Sequence, residues 1–262
     1  MNILLADLFE KTDIYLLIVV RLLGFFAIMP IFSGRNVPNI TKVGLSVIIA
    51  GIIFSTQQVG PVQYNDNVIG YSLLIIKELV VGLLIGYSVY MVFSTLYLAG
   101  QLVDFQIGFS MVSVFDPISQ IQVPITGNLY YFLVGTLLVA TNADHTIFRA
   151  LFYSYQVLPI GYADVLSGEL MSNFMEIISN YFIIGFKISM PVLGTIMVMN
   201  TALGLMARTA PKINIFSVGI PLKMVAGLLI VAITINMFTP VSDFLFQEIY
   251  KNLFKTIQGM IP

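Results

Sequence analysis

The chain has 262 residues, of which 58% are hydrophobic and only 10% charged, with a formal net charge of −1 and a mean hydropathy of +0.95. A soluble domain carries about 25% charged residues, so this composition excludes an ordinary water-soluble globule and points to a membrane protein or a subunit buried in a membrane-associated assembly. The absence of any basic run excludes a nucleic-acid partner, and the absence of cysteine excludes disulfides and thiolate metal centres.

In chain order, uncharged runs predict an all-α fold of about six long apolar helices arranged as helical hairpins. Asp7, Glu10 and Asp13 precede the first run; a cleavable signal peptide wants positive charge there, so none is expected. The first segment covers 14–33 and is interrupted by Arg21. The second covers 41–58 and is followed by Gly60-Pro61 and the polar QYNDN at 63–67. The third runs 68–103, the fourth 125–143, the fifth 174–207 and the sixth 216–248. Linkers carry the expected breakers at Pro38-Asn39, Pro159-Ile160-Gly161 and Ala210-Pro211.

At 1.5 Å per residue the third and fifth segments would each extend about 50 Å, against a hydrocarbon core of about 30 Å. Either they break, with Pro191 the candidate point in the fifth, or they project well beyond the bilayer. Topology by charge is a tie. One set of loops holds Arg35, Lys42, Arg208 and Lys212, the other Lys11, Arg149, Lys251 and Lys255. The tie and the overlong helices imply that partner proteins, rather than lipid, set the final position.

Charges inside apolar segments should face protein or water; Arg21, Lys77, Glu78, Asp104, Asp144, Glu176, Lys187 and Lys223 are such positions, with Arg208 at a segment end. Glu176, Asn180, Lys187, Pro191 and Gly194 fall within about 60° of one another on a helical wheel. This stripe reads either as a pore wall or as a helix–helix seam with one buried ion pair. Lys77 and Glu78 are adjacent and are expected to point different ways. Gly82 and Gly86 form a GxxxG that permits close helix approach. His145 is the only histidine, and beside Asp144 it reads as a hydrogen-bonded pair; no metal site, cofactor or enzymatic motif is expected.

Residues 103–127, VDFQIGFSMVSVFDPISQIQVPITG, are apolar yet poor in helix signals. Between Asp104 and Asp116 lie too few uncharged residues to span a bilayer as a helix. Gly108, Ser110 and Ser113 weaken helix formation, Asp116-Pro117 makes a good helix start, and Pro124 limits that helix to about two turns. Irregular backbone at membrane depth must be buried in protein or line an aqueous cavity. The stretch is therefore a re-entrant loop near 105–124, in the path of something transported, or an interfacial loop on the membrane surface.

The same stretch, extended as GQLVDFQIGFSMVSVFDPISQIQVPITGNLYYFL, resembles the signature region of the R-type export-gate family of bacterial flagella (the FliR family), homologous to the T component of virulence injectisomes. Further collinear stretches agree: RLLGFFAIMPIFSGRNVPNITKVGLS at 21–46, FRALFYSYQVLPIG at 148–161, and ISMPVLGTIMVMNTALGLMARTAPKINIFSVGIPLKMVAGL at 188–228. Asn200 stands where the family pattern leads one to expect Asp.

The resemblance implies a single export-gate domain over 1–262, with a P-like helical part at 1–205 and a Q-like helical hairpin at 206–262. It implies a non-enzymatic channel subunit in the bacterial inner membrane, at the flagellar basal body. FliP-type and FliQ-type subunits would be its partners, FlhB- and FlhA-type gate proteins its neighbours, and unfolded flagellar proteins its cargo. It further implies that 148–161 is a loop, and that the channel plug comprises Gly108, Phe109, Ser110, Met111, Val114, Phe115, Asp116, Pro117, Gln122 and Pro124. The injectisome homologue is the nearest alternative, and a stand-alone secondary transporter, suggested by the fifth-segment stripe, is a further one.

Overall fold

The computed structural model describes residues 2–33, 37–56, 68–109, 124–210 and 214–262. Its described residues are helical throughout, joined by short turns: α1 Asn2–Ile28, α2 Pro30–Ser33, α3 Asn39–Thr56, α4 Val68–Ile107, α5 Ile125–Ala140, α6 Asp144–Val157, α7 Gly168–Thr209, α8 Ile215–Thr234 and α9 Phe238–Gly259. A single 3₁₀ turn, Ile235–Met237, joins α8 to α9. Four stretches of the described residues are long and apolar enough to cross a membrane: Asn39–Thr56, Ile69–Ile107, Gly168–Thr209 and Ser217–Gly259. With the shorter apolar α5, this is an all-α membrane protein, and the expected count of about six helices is an approximation.

Local chemistry explains the boundaries. α1 stops at Ile28 because Pro30 disfavours helical backbone at Met29; Pro30 then opens the short α2, where its missing N–H costs nothing. The 3₁₀ turn lies one turn before Pro240, which cannot donate to the carbonyl of Asn236, so the helix tightens there instead of continuing. Pro191 does not break α7, which runs unbroken for 42 residues. Its missing N–H leaves the carbonyl of Lys187 without its usual intrahelical donor, and the helix absorbs that loss. α4 is equally continuous over 40 residues, so both overlong segments stay whole. The expected loop at 148–161 is corrected as well: most of it is α6, whose buried Ile147, Ala150, Leu151, Ser154 and Tyr155 fall on one helical face. Only Leu158–Gly161 lie beyond it.

The chain divides into two compact units, one of residues 1–92, 142–178 and 246–262, the other of residues 93–141 and 179–245. In the first, α1 and α4 approach without side chains between them. A Cβ on Gly24 would lie 2.6 Å from the Leu79 carbonyl oxygen, one on Gly86 would lie 2.7 Å from that of Phe25, and one on Gly82 would fall on that of Arg21. The GxxxG is thus the seam of an intramolecular helix pair. Around it Leu17, Ile18, Leu22, Phe25, Ile85, Val89, Leu151, Leu253 and Ile257 are fully buried. Ser88 of α4 and Thr256 of α9 share a 2.7 Å hydroxyl contact. In the second unit Leu96, Ala99, Val103, Leu138 and Ile196 are buried, Tyr130 stacks 4.6 Å from Phe238, and Gly100 lies directly on Gly127.

Candidate functional site

Two buried polar sites organise the molecule, one in each unit. In the first, Arg21 of α1 and Glu78 of α4 are both wholly buried and joined at 2.5 Å. A charged pair in an apolar interior is costly unless much of its remaining hydrogen-bonding capacity is used; here Nε and Nη1 of Arg21 find acceptors and the buried Nη2 has none among the described residues. The guanidinium donates to the carbonyls of Leu158 (3.1 Å) and, more distantly, Ser154 (3.5 Å), placing a cation at the carbonyl end of α6. It also stacks 4.4 Å from the centre of the Tyr155 ring. Tyr155 in turn donates to the carbonyl of Ile18 at 3.1 Å. Burial pushes the Tyr155 phenol up from its ordinary range, so the ring stays a neutral donor.

The other end of the site is a single glycine. Gly161 has φ +86°, the left-handed region open to glycine. Its N–H donates to Glu78 at 2.8 Å, and its carbonyl accepts from the Lys77 ammonium at 2.6 Å. Lys77 and Glu78 were expected to diverge. They do leave α4 about 100° apart, but both are long enough to converge on one residue, Glu78 at its N–H and Lys77 at its carbonyl. The chemistry of this node is attachment: α1, α4 and the turn after α6 are fixed to one another by charge and hydrogen bonds.

In the second unit Asp104 of α4 is 7% exposed, and its carboxylate accepts from the backbone N–H of Thr126 at 3.3 Å and from the Thr126 hydroxyl. The N-cap of α5, Pro124, offers no side-chain acceptor, so a carboxylate from another helix serves that role. Gly108, with φ +102°, ends α4 through Schellman-type bonds, Gly108 N–H (3.1 Å) and Phe109 N–H (2.9 Å) both reaching the Asp104 carbonyl. Of the plug residues expected from the sequence, Gly108, Phe109 and Pro124 are thus the described ends of that loop. Ser110, Met111, Val114, Phe115, Asp116, Pro117 and Gln122 lie outside the described residues.

On the continuous α7 the fifth-segment stripe keeps one helical face, largely exposed and with no buried ion pair along it. Glu176 pairs with Lys255 of α9, while Lys187, Pro191 and Gly194 are exposed. Arg208 is exposed and Lys223 half-buried. His145 and Asp144 form the expected pair, at 3.3 Å and exposed. Among the described residues no cluster of three metal-ligating side chains exists. Sequence reading missed Ser154, Leu158 and Gly161, which act through backbone atoms, and Tyr155, Thr126 and Lys255, whose roles depend on contacts far along the chain.

The buried polar side chains of the two sites hold helices and turns in place within what is, as a class, an all-α membrane protein. The chain belongs to the family described as "Bacterial export proteins, family 1", whose profile matches residues 13–249. It is 34% identical to the "Flagellar biosynthetic protein FliR" of Bacillus subtilis over 235 residues, 89% of either chain. It is 26% identical to the protein of the same name from Escherichia coli, over 95% of this chain and 94% of that one. The "Yop proteins translocation protein T" of Yersinia pestis is 28% identical, over 91% of this chain and 93% of its own length.

Proposed function

We propose that this chain is a structural, non-enzymatic channel subunit of the bacterial flagellar type III protein export gate. The observation that carries the reading is the collinear match to flagellar relatives over nearly the whole chain, at 34% identity to one of them. The subunit sits in the bacterial inner membrane at the flagellar basal body and assembles with FliP-type and FliQ-type subunits beside FlhB- and FlhA-type proteins. Unfolded flagellar proteins pass through the assembly. Residues 1–205 form the P-like part and 206–262 the Q-like hairpin. The segment from Gly108 to Pro124 plugs the closed channel.

Helices that remain whole at roughly 60 Å support the reading, because tilt in a bilayer cannot absorb that excess. An injectisome subunit is the second reading, favoured by the 28% identity to the Yersinia protein.

The experiment is affinity purification of the chain from flagellated cells, with conductance measured on a variant lacking residues 110–116. Co-purification of FliP- and FliQ-type subunits, intact assembly in the variant and a raised membrane ion conductance are expected. A chain that purifies only as a stable monomer overturns the assembly. Unchanged conductance in an assembled deletion variant overturns the plug.

A further inference from the structure

α7 hides one side and leaves the other bare. Ser189, Val192 and Ile196 are buried, and a Cβ on Gly185 would meet the Leu98 side chain of α4 at 2.7 Å. Two residues on from Gly185, and so on the opposite side of the helix, Lys187 is exposed. Ile183, Met190 and Val198 share its face and are exposed too, and Gly194 has no heavy atom within 4 Å of the place a Cβ would take. Lys187 is the only charge between Glu176 and Arg208. Almost any stretch of about 20 residues that crosses the hydrocarbon core within that interval contains it. The ion pairs among the described residues use Arg21, His145, Lys251 and Lys255, and Lys187 joins no hydrogen bond through its side chain there either. A second unmet group lies beside the first, because Pro191 withholds the N–H that the Lys187 carbonyl would otherwise accept. Lipid tails offer the ammonium no counter-charge and the carbonyl no donor. Isoleucine, methionine and valine around a lone cation are the lining of a packed interface, not of an aqueous wall.

We propose that this face of α7 receives a membrane helix of a neighbouring subunit, a chain of different sequence, that carries one carboxylate opposite Lys187. The proposal rests on reading the chain as a subunit of an assembly. Charge sets the match: an apolar helix with a single Asp or Glu at that depth neutralises the ammonium, and Gly194 lets its backbone come close. A helix without the carboxylate would desolvate the ammonium with no return. The cation therefore selects the partner and fixes its register along α7.

The test uses the whole gate in membranes of flagellated cells. Carboxylates are activated with a membrane-soluble carbodiimide, and peptides containing Lys187 are sequenced by mass spectrometry. An amide joining the Lys187 amine to an Asp or Glu in an apolar helix of another chain is expected, the reagent taking up the water lost. Lys187→Arg, Lys187→Met and Lys187→Glu are then compared with the wild type for partner subunits recovered per chain. Lys187→Arg is expected within twofold of wild type, Lys187→Met to lose at least threefold and Lys187→Glu at least tenfold. The amount of chain in the membrane is expected to stay the same, because the Lys187 side chain holds nothing in its own chain. Wild-type recovery in Lys187→Glu overturns the proposal, and the same recovery with slowed export assigns the ammonium to the path of the cargo instead. An amide to a second copy of this chain, or none at Lys187 in the assembled wild type, also overturns it. So does a loss of partners matched by an equal loss of chain from the membrane, which would mean that Lys187 serves the fold of its own chain. A wild-type chain that recovers no partner subunit sinks the assembly reading itself; with partners recovered, any of the other failures sinks the ion pair alone.

Discussion

At the scale of single residues, the molecule is held by charges placed where charges are costly. Arg21 and Glu78 are both wholly buried, so removing one partner strands the other. Arg21→Leu or Glu78→Leu is expected to lower stability by about 3–5 kcal/mol, while replacing both with residues of similar volume costs much less than the two single changes together. Thermal unfolding of the detergent-purified protein measures this, and additive single losses would refute the coupling. Tyr155 adds a pH dependence. Its phenol is pushed up by burial, so below the ordinary phenol pKa of about 10 its contribution is fully present. Above that, the unfolded chain ionises while the folded one must keep its proton, and stability falls as pH rises. Tyr155→Phe removes that alkaline loss relative to wild type, at the cost of the bond to Ile18, about 1 kcal/mol.

At the scale of elements, small residues decide where helices meet. Gly82→Ala puts a methyl group onto the Arg21 carbonyl. Backbones rather than flexible side chains must then move, and a loss of about 1–3 kcal/mol is expected, or failure to accumulate in the membrane; a wild-type melting curve would show the seam to be looser than described. Asn142 takes φ +55° between α5 and α6. Asn142→Gly is expected to be neutral within a few tenths of a kcal/mol, and Asn142→Val to cost about 1–2 kcal/mol.

Most of the elements are legible in the sequence because long uncharged runs have few alternatives. α6 is not, because Asp144, His145, Arg149 and Gln156 dilute its hydropathy; its spacing at 147, 150, 151, 154 and 155 carried the signal instead. The continuity of α7 through Pro191 was hidden too, since the sequence gives no measure of what a 42-residue helix can absorb. Arg21, Glu78 and Asp104 were legible as buried charges. Their partners were not: Gly161 and Leu158 contribute backbone atoms, and pattern reading finds side chains.

At the scale of the whole molecule, the helices differ in how much of themselves they hide. Among the membrane-length stretches, 61% of an 18-residue apolar window of Ile69–Ile107 is buried, against only 17% of the corresponding window of Ser217–Gly259. Ile40, Ile48, Val198 and Ile233 are each more than three-fifths exposed. A chain inside a larger assembly would expose such faces when alone. Single cysteines at Ile48 and Val198 are therefore expected to react with a membrane-permeant maleimide in the isolated chain and to be protected in the gate, while one at Ile85 is protected in both. Equal labelling of Ile48 and Val198 in both states would assign those faces to lipid.

The buried ion pair also sets a timetable for biosynthesis. Arg21 leaves the ribosome 57 residues before its carboxylate and 137 before the Leu158 carbonyl it caps. At about 5–20 residues per second, the guanidinium waits on the order of ten seconds for the last of these partners. Residues 246–262 belong to the same unit, so it cannot close before they too have been made. During that interval α1 carries an unneutralised cation in an apolar helix, and the insertion machinery or the membrane interface must hold it. α1 thus reaches its final surroundings long after it is synthesised, which makes nascent-chain handling, and not only helix packing, part of what the Arg21–Glu78 pair demands.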